Sequence, residues 1–167
     1  FASAADSVIV DLEDAVAADD KVKARATLFD ALPEAPKARL FLRINAIGTT
    51  WHQDDLVLAT QASFSGIMLA KSETSEQITG VRQRLRPEQA LIALVETAAG
   101  LHHADALAQA ADRLAFGSLD YAEDVDCGAS REALLFARSR LVLASRLAGK
   151  PAPLDGVTTA LRDTELI

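Results

Sequence analysis

Six apolar runs in this sequence end in residues equipped for chemistry. SVIVDL (7–12) runs into Asp11, Glu13 and Asp14, and RLFLRIN (39–45) carries Arg43 and Asn45. GIMLAK (66–71) ends at Lys71 and Glu73, and ALIALVE (90–96) ends at Glu96. RLAFGS (113–118) is followed by Asp120, and PAPLDGV (151–157) carries Asp155. Any one such residue is ordinarily solvated, or caps the next helix. The same pattern at every run is harder to assign to solvation. Glu96 follows LIALV directly, and a carboxylate desolvated there is costly unless something pairs with it.

The local balance is acid-rich. Glu96 and Asp120, with Asp11, Glu13 and Asp14 nearby, repel one another unless a cation lies between them. An oxygen-only ligand set favours a hard divalent ion, Mg2+ or alternatively Mn2+. A guanidinium beside such an ion needs an anion in between. A substrate carboxylate would chelate the metal with one oxygen and take paired hydrogen bonds from Arg43. Arg43 could instead be the internal counterion of Asp11, Glu13 or Glu96, and the two roles are compatible before substrate arrives. Zinc is a weak alternative: His102 and His103 are adjacent, and His52 is far off in sequence. Lys71 is placed for Schiff-base chemistry, but a salt bridge with a neighbouring acid is the simpler reading. Cys127 has no evident base beside it and reads as a packing residue. Trp51 reads as rim packing, Met68 as core, and Tyr121 as a neighbour that orients Asp120.

These residues need elements that bring them to one place. The apolar runs have strand length and little strict alternation, as in parallel strands covered on both faces. Helical segments lie between them. AVAADDKVKARATLFDAL has apolar positions at Val16, Val22, Ala26 and Phe29. TSEQITGVRQRL opens on Thr74 or Ser75 as an N-cap. Residues 129–149 form the strongest helix, with Ser130 as cap and Gly149 as stop. Alternating strands and helices make a parallel α/β sheet. An open doubly wound sheet fits the strand count, but the first turn has no G-x-G-x-x-G. Charged residues at successive strand ends converge on one bowl in a barrel.

Composition bounds the rest. The 167 residues fit a single domain. Half are hydrophobic and only 5% aromatic, so the core is built mainly from Ala, Leu, Val and Ile. A net charge of -7 with no basic stripe argues against nucleic acid and anionic membrane as partners. One cysteine fits a reducing compartment, so a cytoplasmic location is expected. No apolar run reaches spanning length, and the N-terminus shows no signal peptide and reads as a helix end entering a strand.

Five blocks together, VIVDLEDAVAADDKVKAR, FLRINAIGTTWHQDDL, GIMLAKSE, ALVETAAGL and LAFGSLDYAEDVD, resemble the citrate lyase beta subunit and malyl-CoA lyase group of the HpcH/HpaI aldolase superfamily. The resemblance covers about residues 6 to 160. It implies a (β/α)8 TIM barrel, with only about strands two to seven in this chain. It implies a Mg2+-dependent carbon–carbon lyase, acting on a 3-hydroxyacyl-CoA thioester such as malyl-, citramalyl- or citryl-CoA. The products would be acetyl-CoA or a relative and a 2-oxo acid. By position, Glu96 and Asp120 match the family's metal-binding carboxylates. Arg43 matches the arginine that holds the oxo-acid carboxylate, with Asn45 beside it. Glu13 and Asp14 match acids near the metal's waters. Lys21 and Arg25 fall in a block implied to lie near the pantetheine or phosphates of coenzyme A. The family's base, an acid from a C-terminal part of a neighbouring subunit, has no match here, and a homotrimer or hexamer is implied. Two other readings stay open. One is a pyruvate-type aldolase, disfavoured because DLEDAV has no histidine. The other is a non-catalytic binding or assembly subunit.

Overall fold

The computed structural model describes residues 5–33 and 36–157; the helix end expected at the N-terminus and the TALRDTELI stretch lie outside the described residues. Five strands run β1 Ser7–Asp11, β2 Arg39–Ile44, β3 Gly66–Leu69, β4 Ala90–Val95 and β5 Arg113–Phe116. They pair in parallel in the order β1-β2-β3-β4-β5. Sequential order without reversal is the order of a (β/α) barrel wall, whereas a doubly wound sheet reverses at a switch point. Helices α1 Lys21–Ala31, α2 His52–Gln61 and α3 Ser75–Arg82 link the first four strands. The short α4 Ala98–His102 and α5 Ala104–Ala110 link β4 to β5, and α6 Ser118–Asp124 and α7 Leu135–Leu147 follow. No helix among the described residues is long and apolar enough to cross a membrane.

Two apolar layers explain why the strands hide their alternation. Leu40, Leu42, Ile44, Ile67, Leu69, Leu91, Ala93, Val95 and Leu114 point toward the helices and form the main core. Their neighbours Phe41, Met68, Ile92, Leu94 and Ala115 pack together on the other, concave face. The strands end one or two residues earlier than the apolar runs. Asn45, Lys71, Glu96 and Gly117 therefore stand just past the ladder, where the chain turns.

Three sequence expectations need correction. PAPLDGV forms no strand: only Leu154 joins the sheet, through one parallel bridge to Ala115. Pro151 and Pro153 flank it and have no N–H to extend a ladder. The last helix starts at Leu135, after turns; Ser130 accepts the Ala133 N–H (3.2 Å) in those turns. In α1 the apolar Val22 and Phe29 face outward, 70% and 53% exposed, while Lys21 and Leu28 are buried. Polar anchoring sets this face. Lys21 Nζ donates to the Leu12 and Glu13 carbonyls at 2.8 and 2.9 Å, and lies over the Trp51 ring. Elsewhere local signals hold: Thr74 caps α3 in a full capping box with Gln77, and Gly149, at φ +67°, follows α7.

Asp55 is the polar pin between α1, α2 and β2. Fully buried, it accepts Arg25 Nη1 (2.9 Å) and both the backbone N–H and Nδ2 of Asn45 (3.1 and 2.6 Å). Asp55→Asn keeps the shape but loses the charge these donors face. It is expected to cost about 2–3 kcal/mol, read from urea unfolding, with no change in the slope of free energy against urea.

Candidate active site

The turn after β1 is built by Asp11. Its carboxylate accepts the N–H groups of Glu13 (2.8 Å) and Ala15 (3.0 Å), which folds the DLED segment back over the strand end. The β1–β2 register sets Asp11 beside Arg43. Arg43 forks onto it, Nε to Oδ1 at 2.7 Å and Nη2 to Oδ2 at 2.5 Å. The remaining nitrogen, Nη1, lies 3.0 Å from Glu13 Oε2 and 3.5 Å from Asp14 Oδ2. Glu13 Oε2 is buried, and despite that ion pair it receives no aligned hydrogen bond. Burial alone would raise the Asp11 pKa, but the Arg43 and backbone hydrogen bonds outweigh it and leave the carboxyl below its usual range. Glu13 goes the other way: burial lifts it, only partly offset by Lys71 and Arg43.

Across the bowl, Glu96 stands one residue past β4 and is 1% exposed. Its Oε1 accepts the Lys71 N–H at 2.7 Å. Burial pushes its pKa up to about 7; the Lys71 N–H opposes this, and the charges of Glu13 and Asp120 add to it. Asp120 projects from the first turn of α6, and its Oδ2 lies 3.3 Å from Lys71 Nζ, which also donates to Glu13 Oε1 at 3.0 Å. Glu13 and Asp120 thus meet on one ammonium, with Glu96 held by the same residue's backbone.

Gly117, overlooked from sequence, makes room for Glu96. A Cβ there would come within 2.5 Å of Glu96 Cβ and 2.4 Å of Oε2. A glycine closing an apolar run is the signal for such a close approach. Gly117→Ala must push the Glu96 carboxylate aside. It is expected to weaken divalent-ion binding about tenfold or more, equivalent to about 1.4 kcal/mol, in a calorimetric titration.

A pocket of about 480 Å³ is lined by the polar Asp11, Asp14, Arg43, Glu96 and Asp120 and by the apolar Ile9, Met68, Leu94, Phe116 and Leu154. Not every residue singled out from sequence reaches it. Lys21 is buried under the DLED turn with its ammonium on two carbonyls. Arg25 is taken up by Asp54 and Asp55. Asn45 is buried, its Nδ2 donating to Leu12 O and Asp55. These three hold the walls of the site. The paired donors of Arg43 serve Asp11, and its third nitrogen, Nη1, faces Glu13 and Asp14. His52 Nδ1 contacts the Asn45 carbonyl and His103 Nδ1 that of Glu73.

The site is short of positive charge. Among the described residues, the ion pairs of Asp11, Glu13, Asp14 and Asp120 are with Arg43 and Lys71, and Glu96 lies beside Lys71. Among the described residues no three His, Cys, Asp or Glu side chains form a ready-made metal cluster. A hard divalent ion needs fewer, since Mg2+ commonly takes one or two carboxylates and completes its shell with water and substrate oxygens. A buried glutamate oxygen without a hydrogen bond, and carboxylates already gathered on an ammonium, fit such an ion.

Comparison with known proteins adds family context. Residues 1–167 match the HpcH/HpaI aldolase/citrate lyase family. A citrate lyase subunit beta-like protein of Deinococcus radiodurans is 36% identical over 98% of this chain and 61% of its own length. A (3S)-malyl-CoA thioesterase of Cereibacter sphaeroides is 34% identical over 97% of this chain and 58% of its own. The chain thus spans about three fifths of the curated relatives it matches. The crystal structure of CitE from Mycobacterium tuberculosis, in complex with magnesium, acetoacetate and coenzyme A, superposes with a TM-score of 0.83 at 33% identity, covering 96% of this chain and 61% of that one.

Proposed function

This chain belongs to the HpcH/HpaI aldolase/citrate lyase family, and from that premise we propose that it carries the metal- and carboxylate-binding wall of a Mg2+-dependent carbon–carbon lyase. The substrate class is a 3-hydroxyacyl-CoA thioester such as malyl-, citramalyl- or citryl-CoA, split into acetyl-CoA or a relative and a 2-oxo acid. One observation carries the reading: Glu13 and Asp120 converge on one cation position, with Glu96 tied to the same residue and Arg43 adjoining.

Glu96 and Asp120 would hold the ion, with Glu13 and Asp14 beside its water ligands. When bound, the ion supplies Lewis-acid polarisation of the oxygen that becomes the oxo group. Arg43 keeps Asp11 on its Nε and Nη2 and offers Nη1 to the substrate carboxylate. Held rigid by that fork, Arg43 presents Nη1 in a fixed direction, and part of the rate would come from the orientation it gives the substrate. The apolar side, Met68, Leu94 and Phe116, excludes water from the acyl carbon where the enolate forms.

The malyl-CoA thioesterase relative favours a second reading, hydrolysis of the thioester in place of C–C cleavage. Products separate the two. With malyl-CoA, a lyase releases glyoxylate and acetyl-CoA; a thioesterase releases malate and free coenzyme A. A phenylhydrazine trap for the oxo acid, run beside a thiol assay, reads both. Oxo acid without free thiol supports the lyase, and free thiol without oxo acid overturns it.

A further inference from the structure

At Lys71 the chain leaves β3 in a costly conformation. Its φ is +48°, the left-handed region that a residue with a Cβ enters at about 1 kcal/mol or more. What holds it there is the site itself: the N–H on Glu96, and the ammonium on Glu13 and Asp120. The side chain is nonetheless 42% exposed, so packing does not lock it in place. Arg43, by contrast, is 20% exposed and forked onto Asp11.

We propose that Lys71 is the site's built-in counter-cation: its ammonium bridges Glu13 and Asp120 while no divalent ion is bound, and it moves out to solvent when an ion takes Asp120 and the ion's water shell takes Glu13. This rests on the metal-binding reading above. An ammonium and a divalent ion compete for the same oxygens and repel each other at that range. The Lys71 backbone N–H stays on Glu96 throughout and keeps that carboxylate aimed into the bowl. Lys71 thereby sets the affinity for the ion: tight enough to bind, and held back by the ion pairs that must first be broken.

The test uses wild-type protein and Mg2+ alone. Trace acetylation with acetic anhydride, followed by mass spectrometry, reads the reactivity of each lysine with and without saturating Mg2+, while calorimetry measures binding. Lys71 acetylation is expected to rise several-fold with Mg2+, with the exposed Lys23 unchanged. Lys71→Met is expected to bind Mg2+ about tenfold more tightly, equivalent to about 1.4 kcal/mol. A residue with a merely structural role would not improve metal affinity. If Mg2+ binds but Lys71 reactivity does not rise, the proposal is overturned and the metal site stands. If wild type gives no binding heat, the metal site itself fails and takes the proposal with it. Should Lys71→Met not fold, the wild-type labelling decides alone.

Discussion

Glu96→Gln is expected to lower Mg2+-dependent turnover by about a thousandfold or more, because in the proposed metal site it removes a charged ligand and with it several kcal/mol of transition-state stabilisation. Glutamine can still accept the Lys71 N–H, so the turn after β3 should survive. The same substitution should have the opposite effect on stability in metal-free protein. The Glu96 carboxyl moves from 4.5 to about 7 on folding. The folded chain therefore holds that proton more tightly than the unfolded one. Its stabilising effect is full below pH 4.5 and disappears as pH rises through 7, where a bare carboxylate is left buried. The difference amounts to roughly 3 kcal/mol. Thermal unfolding at pH 8 without metal should show Glu96→Gln more stable than wild type, with the advantage fading toward pH 5. Equal stability at both pH values would mean that Glu96 is not buried as a charge.

Arg43→Lys is the second large effect. An ammonium cannot fork onto Asp11 and also present a third nitrogen to a ligand. Two charge-assisted hydrogen bonds are lost or compromised, at about 1.5–3 kcal/mol each. Lyase kcat/KM is expected to fall about 10²–10³-fold, with a matching loss of 2-oxo-acid affinity. Asp11 would also lose its two-pronged partner and Glu13 the closer of its contacts with Nη1, and the melting temperature should drop. Loss of stability with unchanged oxo-acid binding would assign Arg43 to the fold alone.

How much of this was legible in the sequence depends on the residue. The strands could be read because apolar runs of that length, separated by helical segments, have few alternatives. Their two-faced burial erased the alternation that would have told inward from outward residues. Thr74 and Gly149 announced helix ends by local chemistry, which needs no tertiary information. Lys21 was expected near the coenzyme by resemblance; its burial depends on two carbonyls offered by the DLED turn, which no local pattern announces. That anchor turned α1, so that Val22 and Phe29, which looked like its core stripe, face outward. PAPLDGV looked apolar enough for a strand, yet its prolines permit a single bridge. Around the bowl, the acids at the strand ends were visible as a pattern. Which oxygen meets which nitrogen was not, because it depends on the β1–β2 register and on the backbone turn at Lys71. Gly117, closing an apolar run, signalled a close approach but not to what, because the Glu96 side chain it makes room for comes from a neighbouring strand.

The most direct test of the central claim is a crystal structure of the chain soaked in Mn2+, with anomalous scattering locating the ion. One peak is expected beside Arg43, bonded to carboxyl oxygens of both Glu96 and Asp120 at about the 2.0–2.1 Å typical of Mg2+ or slightly longer. A peak bonded to neither carboxylate, or none at saturating Mn2+, would contradict the account.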